Sequence, residues 1–263
     1  MSLPATLPDE RQRFIIDRLA RDGRVVVADL AREFATSEDT IRRDLRELAA
    51  NGQCRRVYGG ALPISPASGP LAWRVIEAPD RKAALGKTAA LLIEPGQVVF
   101  IDAGSTNLAI AHALPTALAV TIVTNAPSIA AALASRPGVE LIVIGGRVDP
   151  RIGAAVGARA LRDMKDIKPD LAFLGACAVD AYAGVAAFDS EEAEFKRRVA
   201  EAARVLAIAA TDEKLGTSAP FCVVPISALR HLVVEATVPA QTLLEFANAD
   251  LIIHRASPPG DNP

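Results

Sequence analysis

Aromatic residues make up only 4% of the 263-residue chain, with a single Trp and two Tyr, so any apolar core must be built from Ala, Val, Leu and Ile. Cysteine is equally sparse. Cys54, Cys177 and Cys222 lie far apart, form no Cys-x-x-Cys pair and keep clear of the histidines His112, His231 and His254, which argues against a disulfide scaffold or a structural zinc site. No apolar run is longer than a strand needs, and the first residues, MSLPATLPDERQR, carry no basic segment followed by an apolar one. A soluble, cytoplasmic protein without membrane attachment is the expectation. Excess charge of one sign is missing too: 29 Lys plus Arg stand against 31 Asp plus Glu. An overall basic balance therefore cannot argue for nucleic acid, and any such case must rest on local charge. At 51% hydrophobic and 23% charged, the chain has the composition of a folded protein, and its length suits one or two domains.

Two segments differ in character. Residues 9–62 are Arg-rich, with no Lys before Lys82, and read as short helices. Residues 63–79 open with Pro63-Ile-Ser-Pro-Ala-Ser-Gly-Pro70, whose prolines and small polar residues read as a linker. Residues 80–255 then alternate strand-like and helix-like segments, the pattern of a doubly wound, mostly parallel α/β sheet. The tail from Ser257 to Pro263 reads as disordered.

In the first segment the spacing predicts a helix ending near Gly23, a short helix over 26–34, a helix over 38–50 and a hairpin across residues 53–62. Ser37 is a fitting N-cap, followed by Glu38 and Asp39 where the helix dipole favours acids. Ile41, Leu45 and Leu48 share one face, and Arg42, Arg43 and Arg46 fall away from it. Residues 40–58 hold five Arg (42, 43, 46, 55 and 56) against Asp44 and Glu47, a local charge of +3. This is the plan of a winged helix-turn-helix, in which arginines meet phosphates and residues near the start of the last helix reach base edges. Glu38, Asp39, Thr40 and Arg43 are the candidates for base readout. A solvated helical cap would share much of the same pattern.

In the second segment, Phe100-Ile-Asp-Ala-Gly-Ser-Thr-Asn107 ends a strand and enters a helix. A Gly-Ser-Thr turn there offers unpaired amides, two hydroxyls and a helix dipole to an anion. Thr124-Asn125, Gly145-Gly146 and Thr211-Asp-Glu-Lys-Leu-Gly216 stand at further strand ends, along the sheet edge where ligands bind. No Gly-x-Gly-x-x-Gly opens the first helix, which disfavours a dinucleotide.

The run Ser37-Glu-Asp-Thr-Ile-Arg-Arg-Asp-Leu45, followed by Gly52-Gln-Cys-Arg-Arg-Val-Tyr-Gly-Gly-Ala61, resembles the helix-turn-helix and wing of the DeoR family of transcriptional regulators. Two departures are Thr36, where the family usually has Val, and Tyr58, where it often has His. Asp102-Ala-Gly-Ser-Thr, Thr124-Asn125, Gly145-Gly146, Glu192-Ala-Glu-Phe-Lys196 and Asp212-Glu-Lys-Leu-Gly216 follow in the order of the family's C-terminal sensor, so the resemblance spans about residues 10–235. It implies a sensor that shares the ribose-5-phosphate isomerase fold and binds a phosphorylated sugar. Asp102, Gly104, Ser105, Thr106, Thr124, Asn125, Gly145, Gly146 and Lys214 would line the pocket, with Lys82 as a further phosphate partner. Glu213 and Leu215 depart from the family's usual Ser and Phe around Lys214. Operator DNA would meet Ser37, Glu38, Asp39, Thr40, Arg42, Arg43, Arg46, Arg55, Arg56 and Tyr58.

The expected function is a DNA-binding repressor of a carbohydrate operon, acting as a homo-oligomer (dimer or tetramer), with no cofactor, metal or catalytic residue. Two other readings compete: a sugar-phosphate isomerase-like enzyme with an appended helical domain, using Asp102, Glu191 or Glu192 and Lys214, and a sugar-phosphate binder that never touches DNA.

Overall fold

The computed structural model describes residues 7–65, 69–247 and 250–257. Met1–Thr6 and the tail from Pro258, for which disorder is expected, lie outside the described residues.

The N-terminal part runs α1 (Pro8–Asp22), β1 (Val25–Val26), α2 (Val27–Glu33), α3 (Glu38–Ala50), β2 (Arg55–Val57) and β3 (Gly60–Leu62). Pro8 opens α1 and Gly23 closes it in the left-handed region, at φ 73°, returning its N–H to Leu19. The tight turn after α2 is a Schellman motif. Thr36 N–H bonds Ala31 O at 3.0 Å and Ala35 N–H bonds Arg32 O at 3.3 Å, with Ala35 at φ 48° where glycine is usual. Ser37 caps α3, accepting from Thr40 N–H at 3.2 Å. One apolar cluster, including Ile15, Leu19, Leu30, Phe34, Ile41, Leu45 and Leu48, joins the three helices. The strands pair in the order β1-β3-β2, all antiparallel. A Cβ on Gly60 would lie 1.9 Å from Val25 O, so only glycine lets the wing close on β1.

The larger part follows as α4 (Leu71–Ile76), α5 (Pro79–Ala90), β4 (Val98–Ile101), α6 (Ser105–Ala113), β5 (Val120–Thr124), α7 (Pro127–Leu133) and β6 (Val139–Val143). Then come β7 (Arg147–Asp149), β8 (Ala154–Val156), α8 (Ala158–Asp163), β9 (Leu171–Phe173), β10 (Ala178–Asp180), β11 (Gly184–Ala187) and α9 (Ser190–Ala202). β12 (Val205–Ala210), β13 (Phe221–Val224), β14 (His231–Val234), α10 (Ala240–Glu245) and β15 (Ile252–Arg255) complete it. Seven strands form a parallel sheet in the order β15-β14-β12-β9-β4-β5-β6. Its inner strands are apolar and buried, whereas the edges β6 and β15 are partly exposed. Around this sheet gathers a second apolar cluster, separate from the first. Chain order reverses between β4 and β9, which creates a topological switch point at the carboxyl ends of those two strands.

Three features depart from the sequence expectation. The β7–β8 hairpin and the antiparallel sheet β10-β11-β13 interrupt the strand–helix alternation with segments of three or four residues, too short to show a period. Of the expected linker, residues 63–65 and 69–79 are also not a bare connection. They form α4, bury Leu71 and Ser65, and exchange Ser65 N–H to Ser218 O and Ser218 N–H to Pro63 O, each at 3.1 Å. The wing in turn touches the larger part, with Arg55 Nη2 donating to Pro220 O at 2.7 Å. Arg24 bonds Glu245 at 3.1 Å and stacks 4.3 Å from the Tyr182 ring centroid.

Candidate functional site

Two sites carry charge that folding alone does not consume. On α3, the apolar stripe is turned inward and Arg42, Arg43 and Arg46 are exposed. Arg42 pairs with Glu38 at 2.5 Å and with Asp39 at 3.0 Å, exposed helical pairs worth only ~0.3–0.5 kcal/mol each, so a phosphate can take the guanidinium over. Thr40 is half-buried against the Ser37 cap. Arg56 is exposed on β2, and the Tyr58 ring stands fully in solvent at the wing tip. Arg55 is turned instead toward Pro220. Asp44 differs from its neighbours: it is 2% exposed and receives a bidentate pair from Arg11 of α1, with Nη2–Oδ1 at 3.0 Å. It therefore locks α3 to α1, a role hidden in the sequence because Arg11 lies 33 residues away.

The second site stands at the switch point. A small pocket at the carboxyl ends of β4, β9 and β12 is lined by Gly104, Ser105, Thr106, Asn107, Gly175, Ala176, Cys177, Glu192 and Lys214, with Arg74 of α4 across from them. Gly104, at φ 151°, lets the chain turn straight from β4 into α6. The Thr106 hydroxyl is buried, and its Oγ1 has no hydrogen-bond partner. Lys214 donates to Ala176 O at 3.0 Å, and burial pushes its ammonium down to about 8. Below the pocket, Asp102 accepts from Ala103 N–H and Gly175 N–H, both at 2.8 Å, and from Lys196 Nζ. Lys196, 1% exposed, also pairs with Glu192 at 3.1 Å; its two carboxylate partners outweigh desolvation and hold the ammonium charged. The two acids are thus neutralised in place. What remains toward the pocket is the Lys214 and Arg74 cations, the α6 N-terminus and an unsatisfied hydroxyl, a set suited to an anion.

Other sequence candidates lie elsewhere. Thr124 Oγ1 donates to Ile101 O at 2.6 Å and accepts from Ala126 N–H at 3.1 Å, tying β5 to β4, while Asn125 Nδ2 donates to Ala155 O of β8 at 3.1 Å and its buried Oδ1 has no partner. Gly145 and Gly146 follow the edge strand β6, away from the switch point. Lys82 is buried with its Nζ held by the carbonyls of Arg74 and Glu77. Gly175, Ala176, Cys177 and Arg74 line the pocket without having been singled out for it, because strand order brings β9 beside β4 and no local motif announces that.

Among known proteins, residues 11–67 match the DeoR-like helix-turn-helix domain and residues 77–236 match the DeoR C terminal sensor domain. The chain belongs to the DeoR family of transcriptional regulators. It is 31% identical to a putative aga operon transcriptional repressor of Escherichia coli O157:H7, covering 93% of each chain. It is 30% identical to the glycerol-3-phosphate regulon repressor of Escherichia coli K12, covering 89% of this chain and 93% of that one. Ribose 5-phosphate isomerase A of Methanocaldococcus jannaschii overlaps 52% of the chain (54% of its own) at 17% identity and a TM-score of 0.39. DeoR-family membership makes this chain a regulator and not an enzyme. Among the described residues no helix is long and apolar enough to cross a membrane, and no three His, Cys, Asp or Glu gather as a metal site.

Proposed function

We propose that this DeoR-family chain represses a carbohydrate operon, with residues 9–62 binding operator DNA and residues 80–255 sensing a phosphorylated sugar. The buried, unpartnered Thr106 hydroxyl beside Lys214 carries the sensing half, since a polar atom left unsatisfied at a helix N-terminus fits a site completed by an anionic ligand. Arg43 and Arg46, exposed on α3, support the DNA half together with Arg42, Arg56 and Tyr58. The names of the relatives, repressors of the aga operon and of the glycerol-3-phosphate regulon, support a carbohydrate-derived signal. Homo-oligomerisation, as a dimer or tetramer, would let two recognition helices read paired half-sites.

The test is a titration of the full chain with the DNA upstream of its own gene, at two salt concentrations, with and without a panel of sugar phosphates. Saturable, salt-sensitive binding that shifts with one compound is expected. Arg46→Ala should weaken it and lower the salt slope by about one, whereas Arg43→Ala should relax its sequence preference. Binding that shows no sequence preference under any condition overturns the DNA half.

A further inference from the structure

The strand-end pocket has one wall that belongs neither to the sheet nor to the helices packed on it. That wall is α4, in the segment joining the two parts of the chain, and the side chain it presents is Arg74. Resting on the pocket assignment above, we propose that Arg74 is a direct ligand of the effector's anionic group, and that through it the connecting segment registers whether the pocket is filled.

The Arg74 guanidinium has only carbonyls as partners, Nε to Gly69 O at 2.9 Å and Nη2 to Arg151 O at 3.4 Å; among the described residues no carboxylate pairs with it. Lys214, which lines the same pocket, is in the same state, with its ammonium on Ala176 O. The nearby acids are engaged elsewhere: Asp102 and Glu192 both hold Lys196, and Glu213, beside Lys214 in sequence, pairs with Arg81. Two cations facing one cavity repel each other, and an anion between them turns that repulsion into two attractions. Arginine's planar fork is suited to two oxygens of one phosphoryl group. Thr106 Oγ1 and the start of α6 supply donors from the third side.

The pocket is small, with ≈ 10 Å³ free among its lining residues and a mouth open to solvent, so a phosphoryl group rests at the mouth and is enclosed only if a wall gives. The sheet ends are fixed by the parallel ladder. α4 is the least buried wall: it is six residues long, buries only Leu71 and exposes Trp73 and Ile76, and its main tie to α5 is Lys82 Nζ on the carbonyls of Arg74 and Glu77. Ala78, which joins it to α5, is held at φ 46°, a strained hinge for a residue with a Cβ. Upstream, the same segment reaches the pocket a second time, where Ser65 Oγ donates to the pocket-lining Cys177 O at 2.6 Å. Beyond Ser65 the chain is already β3 and the wing. Drawing Arg74 off its two carbonyls and onto an anion therefore sets α4 differently in the filled and the empty protein, the differential contact that coupling requires.

Trp73 is the only tryptophan, directly beside Arg74, and its emission reports on α4. Full-length protein is titrated with inorganic phosphate, reading heat and Trp73 emission together. Wild type should bind saturably with a change in emission. Arg74→Ala, and Arg74→Gln as a variant that keeps side-chain donors for the Gly69 and Arg151 carbonyls, should each weaken binding about tenfold and abolish the emission change. Lys214→Ala serves as the control on the pocket. Wild-type affinity in both Arg74 variants, with binding lost in Lys214→Ala, overturns the role of Arg74 and leaves the pocket standing. Weakened binding with an unchanged emission response at saturation overturns the coupling. Wild-type affinity in Lys214→Ala, or no binding by wild type, removes the pocket and this inference with it.

Discussion

Replacing Asp44 by Ala separates what the Arg42-Arg-Asp-Leu45 run does for DNA from what it does for folding. The carboxylate lies in the interface of α1 and α3, its side chain 4% exposed, and Arg11 meets it with two hydrogen bonds from a side chain 10% exposed. Asp44 and a second acid, Glu47, hold the Arg11 guanidinium above its usual range. Breaking a buried pair by removing one member costs about 3–5 kcal/mol, because the remaining charge stays desolvated. Arg11 is the more exposed of the two and stands near the start of α1, so the lower end, about 3 kcal/mol, is expected. The winged helix has its own apolar core, and for a unit of that size each kcal/mol moves Tm by roughly 4–8 °C. Calorimetry on the full chain should therefore show the first unfolding transition of Asp44→Ala lowered by about 12–24 °C, with operator affinity lost in proportion. An exposed truncation such as Arg43→Ala should leave Tm within about 2 °C while DNA affinity falls. The double variant Arg11→Met with Asp44→Leu should recover most of the stability, since an apolar pair of similar volume can replace a buried ion pair. An unchanged Tm in Asp44→Ala, together with lost DNA binding, would refute the structural role and make Asp44 a contact residue.

Three further outcomes follow from the pocket and the helices behind it. Thr106→Val removes a buried hydroxyl that has no partner, so thermal stability should hold or rise by about 1 kcal/mol while effector binding weakens; a clear drop in Tm would mean the hydroxyl is satisfied in the free protein. Lys214 is lowered to about 8 by burial, against about 10.4 for an unfolded lysine. Below about pH 8 both states hold the proton, and between about 8 and 10.4 the unfolded state holds more, so this group's contribution to stability rises with pH there. Anion binding needs the ammonium, so effector affinity should fall about tenfold per pH unit above 8, and a flat profile to pH 9.5 in calorimetric titrations would exclude Lys214 as a ligand. Gly86→Ala gains about 1 kcal/mol of helix propensity but sets a Cβ 2.6 Å from the backbone C and O of Ala109 and 2.9 Å from Ile110 N, where α6 cannot yield like a side chain. Overpacking should win by about 2 kcal/mol, a Tm drop of about 4–8 °C in the larger transition, and a rise would show that α5 and α6 are less closely packed.

Much of the local structure was legible because it is written in short-range physics. The helix expected over 38–50 is α3, capped by Ser37 with its apolar stripe inward. The Gly-Ser-Thr turn does stand at the N-terminus of α6. Thr36, which departs from the usual family residue, sits at the outer position of the Schellman turn with its backbone paired. The β7–β8 and β10-β11-β13 pieces escaped detection because strands of three or four residues are made by their partners and carry no period of their own.

The distribution of function followed the same division. Arginine pattern, cap and wing residues identified a DNA-binding module from sequence alone, since a recognition helix is a local object whose exposed face is whatever its apolar stripe leaves over. Which strand ends meet was decided only by the tertiary structure. Candidate residues were collected from four strand ends, but the pocket forms where chain order reverses between β4 and β9, bringing Gly175–Cys177 beside Ser105 and Thr106 and leaving Thr124, Asn125, Gly145 and Gly146 to other parts of the sheet. Asp44 and Arg74 make the same point one residue at a time. One sits in a charged run and the other in the expected linker, and each meets a partner far along the chain, Arg11 for Asp44 and the Arg151 carbonyl for Arg74, because pairing depends on distance and burial after folding, not on spacing in the sequence.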